Sequence, residues 1–160
     1  MRQTLRSTAA RIRQELPSLG RVARRAETSL ADALEGGDDR FVDAAALNLH
    51  VFYSGVEHLF ELVARRVDGT VPDGPGWHID LLAQMAAPLD EVRPAVISTD
   101  VQVRLDRFQG FRHVVRNVYT FNLDIDQIQL LVNELPILMR HLEPELQAFA
   151  DFLDAAARAD

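Results

Sequence analysis

The sequence predicts an all-α protein, an up-and-down bundle of four to five helices in one domain spanning residues 1–160. Apolar residues recur at three- and four-residue spacing along nearly the whole chain, and no stretch sustains the alternation of a strand. The four long helical segments are joined mostly by short links, which favours an up-and-down bundle. A chain of 160 residues without cysteine is long enough to bury a core without disulfides.

The first helix is expected to run from the chain start to about Leu34, with a break or kink at Pro17. Two glycines follow it and are expected to end this first helix. Asp38 or Asp39 then provides a side-chain cap for the second helix.

The second helix is expected from about Arg40 to Val67. Its apolar residues share one face, and they are Val42, Ala45, Leu49, Phe52, Val56, Leu59, Phe60 and Val63. Residues 68–76 contain three glycines and two prolines, which predicts a loop.

A short helix is predicted from Trp77 to Ala86, and Pro88 and Pro94 then bracket an irregular stretch. The fourth helix should begin near Ser98 or Thr99 and run to about residue 121.

Two further helical segments are expected after the fourth helix. Asp124 or Asp126 starts the first of them. Pro136 suits the first turn of the last helix, which should run to about Ala156 with a possible kink at Pro144.

The charge distribution is uneven. The net charge is −7, which does not suggest general nucleic-acid binding. The first 25 residues nevertheless hold seven arginines and a single acidic residue, Glu15; the arginines are Arg2, Arg6, Arg11, Arg13, Arg21, Arg24 and Arg25. We interpret them as a solvated helix face, with a basic patch for RNA phosphates or an acidic partner as the alternative.

No apolar run reaches the length that spans a bilayer, so no membrane association is expected and the predicted location is cytoplasmic.

Residues 107–121 of the fourth helix separate into two faces at about 100° per residue. The apolar face comprises Phe108, Phe111, Val114, Val115, Val118 and Phe121. The opposite face comprises Gln109, Arg112, His113, Arg116, Asn117, Tyr119 and Thr120. Arg112, Arg116 and Tyr119 follow the i, i+4, i+7 spacing of a single line along the helix.

This polar face has the residue types that handle an anion. Arginine forks match phosphate oxygens in pairs. His113 can move a proton near neutral pH, and Tyr119 can stack on a base or accept a covalent group. The structural alternative is that the two motif arginines pair with Glu57 or Glu61 inside the bundle.

The segment resembles the motif helix of the HEPN superfamily, and specifically of HepT-like toxins. That family carries arginine, four residues, histidine, one residue and tyrosine, and the matching positions here are Arg112, Asn117 and Tyr119. The resemblance extends to residues 52–57 on the second helix and to Trp77 and His78 after the glycine-rich loop.

The resemblance implies the toxin of a type VII-like toxin–antitoxin pair, of the HepT/MntA type. Such a toxin is a metal-independent endoribonuclease that cleaves RNA at the cleft of a homodimer and needs no cofactor. A nucleotidyltransferase antitoxin encoded nearby neutralises it by AMPylation of the motif tyrosine, which is Tyr119 by position.

Asn117 is the departure from the family pattern, because an amide cannot shuttle a proton. Either His113 takes over, or Arg107 and His113 form the working pair, or the chain is a non-catalytic helical partner of a nucleotidyltransferase. Glu57, Tyr53 and Arg107 are predicted to support the site.

A metal site is the alternative interpretation of four residues at helical spacing, His50, Tyr53, Glu57 and Glu61. The sequence lacks the Glu-x-x-His pairs of di-metal bundles, which argues against a metal site. No metal is therefore expected.

Trp77 is expected to close one end of the bundle. His78 should belong to the first helical turn, or alternatively reach the cleft, and His141 should lie at the surface or an interface.

Overall fold

The computed structural model describes residues 1–117 and 123–159, and the side chains of residues 1–111 and 123–159. The predicted all-α bundle is confirmed in this part of the chain. Its helices are α1 (Arg2–Gly36), α2 (Asp39–Val63), α3 (Trp77–Ala86), α4 (Thr99–Asn117) and α5 (Ile125–Ala159). Among the described helices, none combines the length and the apolar character that a membrane span requires.

The bundle is organised around α1, which packs along both α2 and α5, while α4 packs on α2 and α5 to complete it. The buried positions of α1 recur every three or four residues and include Ile12, Leu16, Leu19 and Leu30. This spacing places them on one face, so that a single helix can bury residues against two neighbours.

Arg13 fastens α1 to α5. Its guanidinium donates to Asp154 Oδ2 at 2.8 Å and to Asp151 Oδ1 at 2.7 Å. The hydrogen bond from Arg13, followed by one from Gln147, lowers the pKa of Asp151. This arginine of α1 therefore has a structural role.

Most predicted helix boundaries are confirmed by their caps. Gly37 ends α1 in the left-handed conformation, with φ of 64°. Asp38 accepts a hydrogen bond from the backbone N–H two residues further on, at 2.9 Å. Asp124 does the same at the start of α5, at 3.0 Å, and the Ser98 hydroxyl accepts from the N–H three residues on.

The predicted break at Pro17 and the predicted start of a separate last helix near Pro136 are wrong, whereas kinks at Pro17 and Pro144 stay predictions. Helix α1 is continuous through Pro17, and the two expected C-terminal segments form the single helix α5, which contains Pro136 and Pro144. All three prolines are exposed. The carbonyl that each proline leaves without its helical N–H partner can therefore be solvated, while buried residues such as Leu138 and Leu142 hold the opposite face of α5 in the core.

Helix α2 ends earlier than predicted, at Val63, and continues as one π-helical turn over Ala64–Asp68. This turn presents Asp68 to Arg93, whose Nε and Nη2 donate to the two carboxylate oxygens at 2.6 and 2.7 Å. Both side chains are only 1% exposed.

Arg93 also donates to the backbone carbonyls of Gln84, Ala87 and Pro94. The irregular stretch between α3 and α4 is thus fixed to the ends of α2 and α3. No local sequence pattern indicates this network, because Asp68 and Arg93 lie 25 residues apart.

We expect Arg93→Met to lower the free energy of unfolding by about 3–5 kcal/mol, because it leaves a buried carboxylate without its cation. Urea denaturation followed by circular dichroism measures this loss. Arg40→Met is the matched control, because Arg40 is exposed beside Asp38 and its removal should leave the midpoint unchanged. Equal midpoints for the two variants would contradict a structural role for Arg93.

Candidate functional site

Helix α3 lies against both α2 and α4 and forms one wall of the site. Its first turn reaches Glu57 in the last third of α2, and near its other end Gln84 Nε2 donates to Asp68 Oδ2 at 2.6 Å. The loop over residues 69–76 therefore leads the chain back along α2 before α3 begins. Helix α3 then follows the last turns of α2 in the same direction.

Glu57 and His78 form a carboxylate–imidazole pair, with Glu57 Oε2 2.5 Å from His78 Nδ1. Glu57 is buried, at 4% exposure, and the His78 side chain is 22% exposed. An ionised carboxylate only accepts hydrogen bonds, so Nδ1 is the donor and Nε2 is the ring nitrogen that can take up a second proton. The same arrangement orients the histidine of catalytic triads.

Trp77 packs its ring against that of His78, with centroids 3.6 Å apart. It is partly buried against the core at the level of Glu57. The expectation that Trp77 closes one end of the bundle stays a prediction; the first turn of α3 lies beside Glu57, in the last third of α2. His78 does belong to the first turn of α3, as predicted, and it also reaches the carboxylate.

The seam between α2 and α4 is apolar around this pair. The rings of Phe52 and Phe108 lie 5.8 Å apart, and Phe111 is buried as well. The predicted apolar face of α4 is thus confirmed at these two phenylalanines. Tyr53 is buried one helical turn before Glu57 on α2, so the two polar groups share one side of that helix.

His50, Tyr53, Glu57 and His78 each make at least one hydrogen bond, ion pair, ring contact or electrostatic interaction.

The predicted motif residues lie mostly outside the described part of the chain. The backbone of α4 is helical through Asn117, so Arg112, His113 and Arg116 continue the helix that buries Phe108 and Phe111. Their side chains, and Tyr119, lie outside the described residues. The proposed pairing of the motif arginines with Glu57 or Glu61 stays a prediction.

Arg107 faces α5. Its side chain is 60% exposed, and its Nη1 lies 3.8 Å from Glu134 Oε2. Glu134 also pairs with Arg104, whose pKa is raised by the hydrogen bond to Asp100 and then by Glu134. This acid-flanked cluster occupies the α4–α5 edge, whereas the Glu57–His78 pair lies on the side of α2 and α3.

The remaining candidates are peripheral. His141 is exposed on α5, as predicted for a surface position. In the part of the chain whose side chains are described, no three histidine or carboxylate side chains gather in a group that could hold a metal ion.

A family model described as HepT-like protein matches residues 44–153, which is 110 of the 160 residues. The matched segment includes α3 and α4 completely and most of α2 and α5. Comparisons with curated proteins and with solved structures give no significant match.

We expect Glu57→Leu and His78→Leu to show a coupling free energy of about 1.5–3 kcal/mol in a double-mutant cycle, because the hydrogen bond involves a buried charge. Urea unfolding of the two single variants and the double variant gives this value. The exposed pair Arg11 and Glu15, 2.8 Å apart, supplies the control cycle, with an expected coupling of at most about 0.5 kcal/mol. A coupling near zero for Glu57 and His78 would contradict the pair.

Proposed function

The chain belongs to the HepT-like family, and from this premise we propose that it is the toxin of a toxin–antitoxin pair. In this proposal it is an endoribonuclease that cleaves RNA without a metal ion. The family supports the toxin assignment. The residues around α2, α3 and α4 support the chemistry.

The observation that carries the nuclease proposal is the Glu57–His78 pair. Asn117 stands at the histidine position of the family motif, so the motif helix lacks one group able to transfer a proton. His78 is an imidazole held by a buried carboxylate, on a helix that packs against α4. It offers the proton-transfer capacity that asparagine lacks.

The proposed reaction is an internal displacement at phosphorus. A general base removes the proton of a ribose 2′-hydroxyl, and that oxygen bonds to the adjacent phosphorus. The bond from phosphorus to the 5′-oxygen of the next nucleotide breaks, and a general acid protonates the leaving oxygen. Two proton carriers complete the cycle, and we assign these roles to His113 and His78.

Arg112 and Arg116 stabilise the negative charge that builds up on the phosphoryl oxygens. Guanidinium forks suit this task because they meet two oxygens at once. Asn117 is assigned to hold a phosphate oxygen or a ribose hydroxyl by hydrogen bonding. Tyr53 and Glu57 support the site from α2, and Glu57 fixes the tautomer of His78.

The regulation that we propose follows the family. The active form is a homodimer in which two motif helices border one cleft. A nucleotidyltransferase encoded nearby transfers AMP from a nucleoside triphosphate to the Tyr119 hydroxyl and releases pyrophosphate. The added phosphate places negative charge beside the motif arginines and blocks the approach of RNA.

We expect Arg112→Ala, His113→Ala and His78→Ala each to slow RNA cleavage by about 10²–10⁴-fold, the usual contribution of a proton-transfer or charge-stabilising group. Purified protein with labelled RNA in the presence of a chelator gives the rates. His141→Ala is the control, because this exposed histidine lies on α5 and should cleave at the wild-type rate. Cleavage that survives both Arg112→Ala and His113→Ala would contradict the assignment.

A second function is favoured by Asn117, which removes the family's motif histidine. In it, the chain is a non-catalytic helical partner that binds the nucleotidyltransferase and presents Tyr119 to it. RNA cleavage is expected only under the first function, whereas AMPylation of Tyr119 is expected under both.

Co-expression with the neighbouring nucleotidyltransferase should add the mass of one AMP group per chain, and Tyr119→Phe should abolish the addition because it removes the acceptor oxygen. Intact-mass spectrometry reads both results. Tyr53→Phe is the control, because Tyr53 is buried and should not be the acceptor. An AMP group that persists in Tyr119→Phe would refute the proposed site of modification.

A further inference from the structure

The electrostatic charge of the chain is divided between α1 and the rest of the molecule. The first 30 residues carry seven arginines and two glutamates, a net charge of +5. Residues 31–160 carry ten arginines and 22 acidic residues, a net charge of −12. Such an asymmetry within one chain indicates a surface that meets an anion.

The exposed side of α1 carries a polar line without acidic residues. Four exposed residues follow one another at intervals of seven: Ser7, Gln14, Arg21 and Thr28. A seven-residue interval is close to two helical turns, so these positions lie nearly in line along α1.

Two surface depressions lie along this line. The first, of about 410 Å³, is bordered by α1 and α2, and its polar lining is Ser7, Arg11, Gln14, His58 and Arg66. The second, of about 390 Å³, is lined by Arg21, Arg24, Arg25, Thr28 and Ser29. We call the residues of these two linings the α1 basic stripe. About 15 residues of helix separate the centres of the depressions, or roughly 22 Å.

The arginines of the second depression are not used to hold the fold together. Arg21, Arg24 and Arg25 make no ion pair with a carboxylate among the described side chains; Arg21 donates to the Ser18 hydroxyl at 2.8 Å. Arg13, on the side of α1 that meets α5, is in contrast bound by two aspartates. Among the described side chains, these three guanidinium groups without a carboxylate partner therefore lie together on the outward side of α1.

We propose that the α1 basic stripe binds the phosphate backbone of single-stranded RNA. Arginine forks, hydroxyls and a side-chain amide are the groups that proteins use on phosphate and sugar oxygens. The stripe contains no phenylalanine, tyrosine or tryptophan for base stacking, so we expect its contacts to be with the backbone and independent of sequence. The proposal rests on the proposed function, because the α1 basic stripe would hold the RNA that the proposed nuclease cleaves.

RNA fits this surface better than an acidic protein does. Stable protein interfaces are anchored by large apolar or aromatic side chains. Among the described residues, the large apolar side chains that are exposed include Met1 and Leu34, and none lies between them on α1. The α1 residues of the stripe lie outside residues 44–153, so the family match does not account for the arginines of α1.

The test measures binding separately from cleavage. Fluorescence anisotropy follows the full-length protein with a labelled single-stranded RNA whose 2′-hydroxyls are methylated, so that it cannot be cleaved by 2′-oxygen attack. The variant is Arg21→Gln combined with Arg24→Gln and Arg25→Gln. The matched control combines Arg40→Gln, Arg140→Gln and Arg158→Gln, three exposed arginines elsewhere that give the same change in net charge.

We expect the stripe variant to bind RNA at least about tenfold more weakly at low salt, and its salt dependence to fall by about two in the log–log slope, because roughly 0.7 is lost per phosphate contact with a single strand. The control variant should keep the wild-type slope. Equal weakening in both variants, or no RNA binding by the wild type, would overturn the proposal.

A polyglutamate peptide serves as the second probe. If the stripe variant loses polyglutamate binding but keeps its RNA affinity, the stripe is a surface for an acidic protein and the RNA proposal is wrong. Cleavage of unmethylated RNA is assayed in parallel. A wild type that binds through the stripe without cleaving refutes the nuclease alone, whereas cleavage with unchanged binding by the stripe variant refutes the stripe alone.

Discussion

The packing of α1 between α2 and α5 is the constraint on which the rest of the bundle depends. One helix serves two neighbours because its buried residues, Ile12, Leu16 and Leu19 among them, occupy a single face. Close approach to α2 requires a small partner, and Gly55 provides it: a Cβ there would lie 2.8 Å from Leu19 Cδ2. The opposite face of α1 takes no part in the core, so its polar and basic composition is free to serve binding.

The position of α3 follows from polar contacts at both of its ends. The buried Asp68–Arg93 pair, joined by Gln84, holds the last turn of α3 and the chain that follows it against α2. The Glu57–His78 hydrogen bond holds the first turn. An isolated helix of ten residues is marginal in water, so α3 depends on these polar contacts together with the burial of Leu81, Leu82 and Met85. The same contacts that fix α3 also set the tautomer of His78, so the stability of the fold and the chemistry of the site are coupled.

The sequence predicted the helices well where local chemistry decides. Asp38 and Asp124 cap helices because an aspartate binds a nearby backbone N–H, which depends on adjacent residues only. The predicted start of a separate helix near Pro136 is wrong, because burial of the opposite face of α5 outweighs the loss of a helical hydrogen bond at an exposed position. In the candidate site, Glu57 was recognised from its place on the polar side of α2. Its pairing with His78 depends on the path of the loop over residues 69–76, which no local pattern encodes.

The α1 basic stripe and the Glu57–His78 pair lie on two different sides of the same helix, α2. Tyr53, Glu57 and Glu61 follow i, i+4 spacing on the side of α2 that meets α3 and α4, whereas His58, Leu62 and Arg66 follow it on the side of the first α1 depression. The two lines are offset by one residue, or about 100° around the helix. A single helix is about 10–12 Å across, which is within the reach of a short stretch of extended RNA. On the proposed function, a strand whose backbone lies on α1 therefore needs to cross only α2 to bring a phosphate to His78, and the basic stripe and the carboxylate–imidazole pair act on neighbouring parts of one substrate.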